Sequence, residues 1–436
     1  MRRGRWIAMA AATVLLASLL PTPQPGLAQG KRPGSEVGTM QAPFLSYLRI
    51  TNNSLDDLSP ATAYNTLRHE YFVVWQAPAG GGNGGVYGQR VDLNGNLVGG
   101  MIPIDTVGVN WAPAVAYNSK WDEYLVVYTH NAISSGDYDV YARVVTGAGG
   151  VGGLTLIDTA FPTKQSYPAV AYNSQDDNYL IVYQSETSAD FYVIRGQSRA
   201  ADMSLLVPRT TFPSGKTSRQ NADVAYNQTR GQYLVVYDRR NNSERHGDIL
   251  GQLVAQNLGF VGGELRICTD PHLDQYQPAV AAGPDEFLVV WSDGNGDNPP
   301  TNYNIYGSRV RGDGSLPGGA SNRGSPIAYD GTNNRFAADL AYADGWGYFV
   351  AWHYYSGLAS GWDIWGNHWV PGLDQPAGAE FVLDNSPHDQ YSPAVACQPG
   401  GDCFFADEDY GYSVATSEIT GWWMRLQKAY LPLTVR

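Results

Sequence analysis

Basic residues and cysteine are both scarce in this 436-residue sequence. Lysine and arginine total 28 against 41 aspartates and glutamates, and the resulting net charge of −13 disfavours a nucleic-acid or anionic-membrane partner, because phosphate binding needs a basic surface. Three cysteines are too few for a disulfide scaffold or a multi-zinc protein. Hydrophobic residues make up 43% of the chain, which is too many for a disordered protein.

Long apolar segments are missing after the N-terminal region, so no membrane span is predicted. Three arginines within the first five residues precede an apolar segment at residues 7–20, and Gly-Leu-Ala at 26–28 has the small residues of a cleavage site. The sequence therefore predicts a signal peptide over 1–28, with a short membrane anchor as the alternative, and a linker over 29–43. We expect a secreted protein, extracellular or at the cell surface.

One sequence unit recurs seven times after residue 55. Its first phrase reads Pro-Ala-Val-Ala-Tyr-Asn at 113–118 and returns, more or less altered, at intervals of 53 to 60 residues. A second phrase is the apolar run at 124–128. In a third phrase, at 139–144, β-branched and aromatic residues alternate with other residues, and a fourth phrase ends in Ile157. Each phrase has the composition of a β-strand, and four strands in about 55 residues are typical of a propeller blade.

The repeat count predicts an all-β fold, a seven-bladed β-propeller of four-stranded antiparallel blades, over residues 44–420. A solenoid of β-hairpins is the alternative. Residues 44–50 have the pattern of a fourth strand but lie before the first repeat unit. We therefore expect this N-terminal strand to close the last blade and remove exposed sheet edges. Residues 421–436 are then a C-terminal tail.

The PAVAYN, YLVVY and DIYGQRV-type phrases resemble a repeat found in secreted bacterial proteins, similar in plan to the TolB-type propellers. The resemblance covers roughly residues 44–420 and implies a propeller fold. Most members of that family have no assigned function. The matching positions are core and turn residues, so the resemblance implies no catalytic residue.

Two of the cysteines flank a predicted hairpin turn. Cys397 ends a first-strand phrase, Cys403 opens the next phrase, and five residues separate them. The two positions should face each other across the hairpin, so we predict a Cys397–Cys403 disulfide, which export permits; two unpaired buried thiols are the alternative. Cys268 is expected to be a buried strand residue rather than a nucleophile.

The loops between second and third strands, and those between successive blades, gather at one face of a propeller, which we call the loop face. Aromatic rings there suit a glycan or peptide, since rings stack on apolar surfaces while carboxylates and amides bind hydroxyls. The predicted partner is thus an extracellular glycan or protein. The predicted ligand-binding residues are Trp111, His130, Tyr167, Asp238, Arg239, Tyr276, Tyr355 and Tyr391. The alternative is that they are solvated loop residues and packing between blades.

An extracellular carbohydrate-active enzyme is the second hypothesis, and a purely structural surface protein is the third. His353, Tyr354, His388 and Asp407 belong to units six and seven, which depart most from the repeat. A histidine and a tyrosine suit proton abstraction by a polysaccharide lyase, whereas a glycosidase needs two carboxylates across the funnel.

Asp293, Asn295 and Asp297 have the alternating oxygen ligands of a calcium loop. The bidentate glutamate expected at the twelfth position of such a loop is missing. No cofactor is therefore predicted, with calcium as an open alternative. The oligomeric state stays open.

Overall fold

The computed structural model describes residues 44–53, 55–78, 84–131, 137–159, 164–213, 215, 217–240, 247–270, 273–294, 302–317, 324–329, 333–355, 361–373, 375–376, 378–411 and 416–425. These residues form β-strands and turns without a helix. The strands are β1 (Phe44–Arg49), β2 (Leu58–Asn65), β3 (Glu70–Pro78), β4 (Gly84–Asp92), β5 (Leu97–Asp105), β6 (Val109–Asn118), β7 (Glu123–Asn131), β8 (Tyr138–Thr146), β9 (Val151–Asp158), β10 (Gln165–Asn173), β11 (Asn178–Ser188), β12 (Phe191–Ala200), β13 (Leu205–Thr211), β14 (Ser218–Asn227), β15 (Gln232–Arg240), β16 (Gly247–Ala255), β17 (Phe260–Cys268), β18 (Gln275–Ala282), β19 (Glu286–Gly294), β20 (Tyr303–Arg311), β21 (Ser325–Ala328), β22 (Asn334–Ala343), β23 (Gly347–Tyr355), β24 (Trp362–Trp369), β25 (Phe381–Asp384), β26 (Asp389–Cys397), β27 (Cys403–Tyr410) and β28 (Ser417–Arg425).

Hydrogen bonding groups the strands into seven four-stranded antiparallel sheets. Six of them follow the chain, as β2–β5, β6–β9, β10–β13, β14–β17, β18–β21 and β22–β25, and the first two are joined by a single parallel bridge. The first strand of each sheet contacts the first strand of the next, in the order β2, β6, β10, β14, β18, β22 and β26, and β26 contacts β2. The sheets are thus the blades of a closed β-propeller, numbered here in that order.

The seventh blade combines β26, β27 and β28 with β1 from the start of the described chain. β1 pairs antiparallel with β28, with Leu48 opposite Gly421, so the expected closure by an N-terminal strand is confirmed. The expected boundary at residue 420 falls inside β28, which continues to Arg425. The reason is packing, because Trp423 lies 4.7 Å from Phe404, ring centroid to ring centroid, within the blade core.

The second strand of each blade forms the core. Residues 71–74 and 124–127 have no exposed surface, because a neighbouring blade covers each face of the sheet. A strand covered on both sides must be apolar at every position, which explains the unbroken apolar phrase in the sequence.

A β-bulge recurs where each first strand begins. One non-glycine residue per blade has a φ angle between 48° and 52° there, namely Ser59, Ala112, Tyr167, Asn221, Gln277, Ala337 and Ser392. This left-handed backbone conformation costs about 1–2 kcal/mol for a residue with a side chain. The strained residue turns its N–H towards the preceding blade.

In all seven blades that N–H donates a hydrogen bond to a side chain near the end of the preceding blade's second strand. The distances run from 2.7 to 3.4 Å, and the acceptors, in the order of the donors above, are Glu408, Gln76, Thr129, Gln184, Asp238, Ser292 and His353. We call these contacts the blade latches. The acceptors differ in chemistry, as carboxylate, amide, hydroxyl or imidazole, but all of them accept a hydrogen bond.

The cysteines are placed as the sequence predicted. Cys397 and Cys403 are directly paired across the β26–β27 hairpin and form a disulfide, with Cα atoms 4.0 Å apart. Cys268 ends β17 and is fully buried, and burial raises the pKa of its thiol. In the part of the chain that the structure describes, no helix is long and apolar enough to cross a membrane.

Candidate functional site

First strands begin, second strands end and third strands begin at the loop face, because neighbouring strands of a blade run antiparallel. In the fifth, sixth and seventh blades these strand ends carry aromatic rings that touch one another in a continuous series. We call the series the aromatic strip; it consists of Tyr276, Tyr303, Phe336, His353, Tyr355, Trp362, Tyr391 and Tyr410.

The strip begins in the fifth blade. Tyr276 meets the edge of Tyr303 at 5.2 Å between ring centroids, and Tyr303 lies 4.5 Å from Phe336 of the sixth blade. Phe336 continues the series to Trp362 at 5.8 Å. These tilted and edge-to-face arrangements are the ones aromatic pairs prefer.

Trp362 is the centre of the strip. It contacts Phe336, His353 at 5.1 Å, Tyr355 at 5.0 Å and Tyr391 at 5.7 Å. Tyr391 then meets Tyr410 at 5.3 Å. Tyr355 is 37% and Tyr410 39% exposed, so the strip reaches solvent at both of these rings.

A carboxylate holds the centre of the strip in place. Asp389 Oδ1 accepts a hydrogen bond from the backbone N–H of Trp362 at 3.0 Å, and Oδ2 accepts one from the Tyr391 hydroxyl at 3.4 Å. Burial, followed by the charge of Glu408, raises the pKa of Tyr410 to about 12. Burial and Asp389 raise the pKa of Tyr391 as well, so both phenols keep their protons at neutral pH.

Three of the predicted ligand-binding residues, Tyr276, Tyr355 and Tyr391, belong to the strip. Trp111 occupies the same blade position as Tyr276 but in the second blade, where it meets Tyr138 edge-on at 4.9 Å. Tyr167 is half-buried in the third blade, and its backbone N–H forms a latch with Thr129.

The other three predicted ligand-binding residues have structural partners. His130 is 8% exposed, hydrogen-bonds Asn110 at 2.8 Å and stacks on Tyr141 at 4.3 Å. Burial lowers the pKa of His130. The sequence could not distinguish such a histidine from a ligand-facing one, because both lie near a loop.

Asp238 and Arg239 also bind other residues of the fold. Asp238 is fully buried, accepts the latch hydrogen bond from Gln277 at 3.2 Å, and accepts a second one from the Asn221 amide at 2.6 Å. Burial raises the pKa of Asp238. Arg239 forms an ion pair with Asp248 on the neighbouring strand.

The catalytic candidates His353 and Tyr354 point to opposite faces of β23, as successive residues of a strand do. His353 Nδ1 accepts the latch hydrogen bond from Ser392 at 3.4 Å, and burial lowers the pKa of His353 to about 3. The Tyr354 ring lies 4.7 Å from the guanidinium of Arg335, and its hydroxyl accepts a hydrogen bond from the Asn333 amide.

His388 and Asp407 have separate partners in the seventh blade. His388 Nδ1 lies 2.8 Å from Asp409 Oδ1, and His388 is 28% exposed. Asp407 is buried and accepts a hydrogen bond from Thr420. Burial, followed by the charge of Asp384, holds the pKa of Asp407 well above its usual range.

The four catalytic candidates therefore do not form one hydrogen-bonded group within the described residues. Asp407 occupies the position at which blades one to six carry the tryptophan or tyrosine that ends the second-strand phrase. Asp407 thus departs from the repeat within a second strand and not, as predicted, within a variable loop.

The calcium hypothesis rests on one described residue. Asp293 is buried near the end of β19, opposite Gln275 and Asn304, whereas Asn295 and Asp297 lie outside the described residues. Over the described ranges, no group of three or more histidine, cysteine, aspartate or glutamate side chains has the geometry of a metal site.

Besides His353, which was a catalytic candidate, four rings of the strip were not among the predicted site residues: Tyr303, Phe336, Trp362 and Tyr410. A signal for two of them exists in the repeat. Tyr303 and Trp362 both open a third strand, as Tyr138 does. Aligning that position across the units would have found them.

No protein-family model and no curated protein matches the chain. Among solved structures, it is similar to a protein of unknown function from Dyadobacter fermentans DSM 18053, with a TM-score of 0.54 and 9% identity over 88% of this chain and 99% of that one. It is similar to the polysaccharide lyase Uly1, with a TM-score of 0.54 and 12% identity over 84% of this chain and 90% of that one.

A third similar structure is the β-propeller domain of the Trilobed protease from Pyrococcus furiosus, with a TM-score of 0.50 and 10% identity over 87% of this chain and 100% of that one. This chain is a β-propeller. At such identities the likeness extends to the fold alone. The protease domain is described as having an open velcro topology, whereas β1 closes the last blade of this propeller.

Proposed function

We propose that this chain is an exported glycan-binding β-propeller and that the aromatic strip is its binding surface. The single observation that carries the proposal is the continuity of the strip over three blades, with neighbouring rings 4.5 to 5.8 Å apart. Sugar units of an extended glycan can stack where rings of the strip reach solvent, as at Tyr355 and Tyr410, since the C–H faces of sugars are apolar and aromatic rings are flat.

Hydrogen-bonding groups beside the rings support a sugar ligand. The protonated hydroxyl of Tyr410 is a donor, the hydroxyl of Tyr391, which donates to Asp389, can accept, and the Asp389 carboxylate is an acceptor at the centre of the strip. Sugar hydroxyls both donate and accept, so a mixed set of groups suits them.

Binding is favoured over catalysis by what the candidate catalytic residues already do. His353 is a latch acceptor with a pKa lowered by burial, so it is a poor general base at neutral pH. Asp407 is buried against Thr420 rather than presented to a ligand.

A polysaccharide lyase is the second candidate function, and one pair of residues favours it. His388 is oriented by Asp409 and directly precedes Asp389, which holds the strip at Trp362. An imidazole oriented by a carboxylate is the arrangement of a general base. The structural likeness to a polysaccharide lyase makes this alternative worth an assay, although it extends only to the fold.

Export is part of the proposal. A disulfide between Cys397 and Cys403 is stable in an oxidising compartment. The basic and apolar N-terminal region, together with the resemblance to a repeat of secreted bacterial proteins, supports secretion or display at the cell surface.

The test is a polysaccharide panel, with purified mature protein assayed in two ways. Retention on immobilised neutral and acidic polysaccharides measures binding, and absorbance of unsaturated uronate products measures lyase activity. Saturable binding without product supports the binding proposal. Product that disappears in His388→Ala establishes the lyase instead, and the absence of both signals overturns the glycan proposal.

A further inference from the structure

A concave site also lies at the opposite face of the ring, where the first strands end at hairpin turns. It is an open, solvent-accessible cavity of about 430 Å³ lined by residues of the first strands of blades one, two, six and seven and of the turns that follow them. Its volume is in the range of small-ligand sites. None of its lining residues belongs to the aromatic strip, so the cavity is a separate site.

At this cavity the seventh blade departs from the repeat. The first strands of blades one, two and six each place a tyrosine at the mouth, Tyr64, Tyr117 and Tyr342, and all three line the cavity. The seventh blade has Cys397 at that position, and its disulfide takes up less room than a phenol ring.

Each of the three lining tyrosines packs on a buried tyrosine of its blade's second strand. Tyr64 packs on Tyr71 at 5.1 Å, and Tyr117 packs on Tyr124 at 5.2 Å. Tyr342 packs in the same way on Tyr348 of the second strand, at 5.2 Å between ring centroids. The supporting rings have no exposed surface, so the walls are fixed before a ligand arrives.

The charge at the cavity is negative. Asp344 is the one charged residue in its lining, is exposed, and has no ion-pair partner among the described residues. Arg68 lies on an adjacent turn but pairs with Asp122 at 2.7 Å and does not line the cavity. Aromatic faces add further negative potential.

We propose that this cavity binds a small quaternary ammonium compound between its tyrosine rings, with Asp344 as the counter-charge. A methylated ammonium needs no hydrogen-bond acceptors, whereas a primary ammonium has three donors to satisfy. The Tyr64 hydroxyl is already hydrogen-bonded on two sides, to His69 Nδ1 at 3.0 Å and to Gln398 at 3.2 Å, and the Tyr117 hydroxyl is hydrogen-bonded to Asp122 at 3.5 Å. The lining therefore favours a cation that binds through cation–π contacts.

The experiment titrates the mature protein with choline and, separately, with 3,3-dimethylbutan-1-ol, which has the shape of choline without its charge. Chemical-shift changes of the ligand methyl protons, or calorimetry, report binding. We expect saturable choline binding and at least about tenfold weaker binding of the neutral analogue. Equal affinity for the two compounds, or no saturable signal with choline, overturns the proposal.

Matched variants locate the site. Tyr342→Leu keeps an apolar side chain but removes a ring, and Asp344→Asn removes the counter-charge; both are expected to weaken choline binding, the first by about tenfold. Tyr226→Leu is the control, because Tyr226 has the same position in the fourth blade but does not line the cavity. Equal loss in Tyr226→Leu, with the folded state checked by thermal unfolding, places the binding elsewhere and overturns the assignment.

Discussion

The backbone N–H of Ser59 donates a hydrogen bond of 2.7 Å to Oε1 of Glu408, which lies 349 residues further along the chain. The same latch joins every other pair of neighbouring blades, over separations of 36 to 45 residues. The last blade is thus joined to the first by the ordinary contact between blades, in addition to the pairing of β1 with β28.

Removal of this latch acceptor should destabilise the ring. In Glu408→Ala the N–H of Ser59 loses its partner, and we expect the free energy of unfolding to fall by about 1–3 kcal/mol. Glu408→Gln keeps an acceptor and should lose much less. Thermal or urea unfolding measures both variants. Glu418→Ala is the control, since the ion pair of Glu418 with the exposed Arg49 should contribute only about 0–1 kcal/mol; an equal loss in that control contradicts the role of the latch.

Asp339 should make stability depend on pH. Its Oδ2 accepts the Val395 N–H at 2.8 Å, and burial raises the pKa of the Asp339 carboxyl to about 7. Because this folded value exceeds the unfolded value of about 3.9, the associated stability is present at low pH and lost as pH rises through about 7.

We therefore expect Asp339→Asn to be more stable than the parent at about pH 8, by about 2–4 kcal/mol, with the difference vanishing near pH 4. Unfolding curves across this pH range measure it. Asp285→Asn, at an exposed site, is the control. A constant difference between Asp339→Asn and the parent at every pH would show that Asp339 is ionised normally.

Because of His353, the free energy of unfolding should decrease in acid. Burial lowers the pKa of His353 to about 3, below the unfolded value of about 6.5, so stability is present above about pH 6.5 and lost as pH falls. His353→Gln retains an acceptor, as Gln76 and Gln184 do in their own latches. We expect the variant to lose about 2–3 kcal/mol less than the parent between about pH 7 and pH 4.

The acid limb of a pH series of unfolding measurements tests this expectation. His69→Asn is the control, because His69 is exposed. If His353→Gln and the parent lose stability in parallel as pH falls, the imidazole of His353 is protonated in the folded protein and the latch assignment is wrong.

Glycan affinity should depend on the centre of the strip. Trp362→Ala removes the ring that contacts four others, and we expect about tenfold weaker binding to whichever polysaccharide the panel identifies. Calorimetry or affinity electrophoresis measures the change. Trp111→Ala is the control, because Trp111 is a loop-face aromatic of the second blade outside the strip. Similar losses in both variants would place the binding surface around the whole face.

Much of the fold could be predicted from the sequence because its information is local and repeated. The apolar run at 124–128 can only be a strand covered on both faces, and the turn between Cys397 and Cys403 brings both sulfurs to the same place on the hairpin. The end of the last blade could not be predicted in this way, because Trp422 and Trp423 do not match the repeat; the contact of Trp423 with Phe404 lies within β28, which continues to Arg425.

Fewer residues of the candidate site could be predicted from the sequence. His353 and Asp238 looked like functional residues because they are polar and adjacent to loops, but both accept latch hydrogen bonds. The seven latch acceptors belong to six residue types, so no shared residue type marks the position. Only the hydrogen bond from the following blade reveals its role.

The sequence by itself determined the number of strands per blade, the closing N-terminal strand and the disulfide, since each depends on residues close together in the chain or on a repeated phrase. The tertiary structure alone decided which side chains of neighbouring blades meet. Tyr303 joins Phe336, and Trp362 joins Tyr391, across blade boundaries that no local pattern describes. Curvature of the ring sets those contacts, because it brings the loop-face ends of neighbouring blades together.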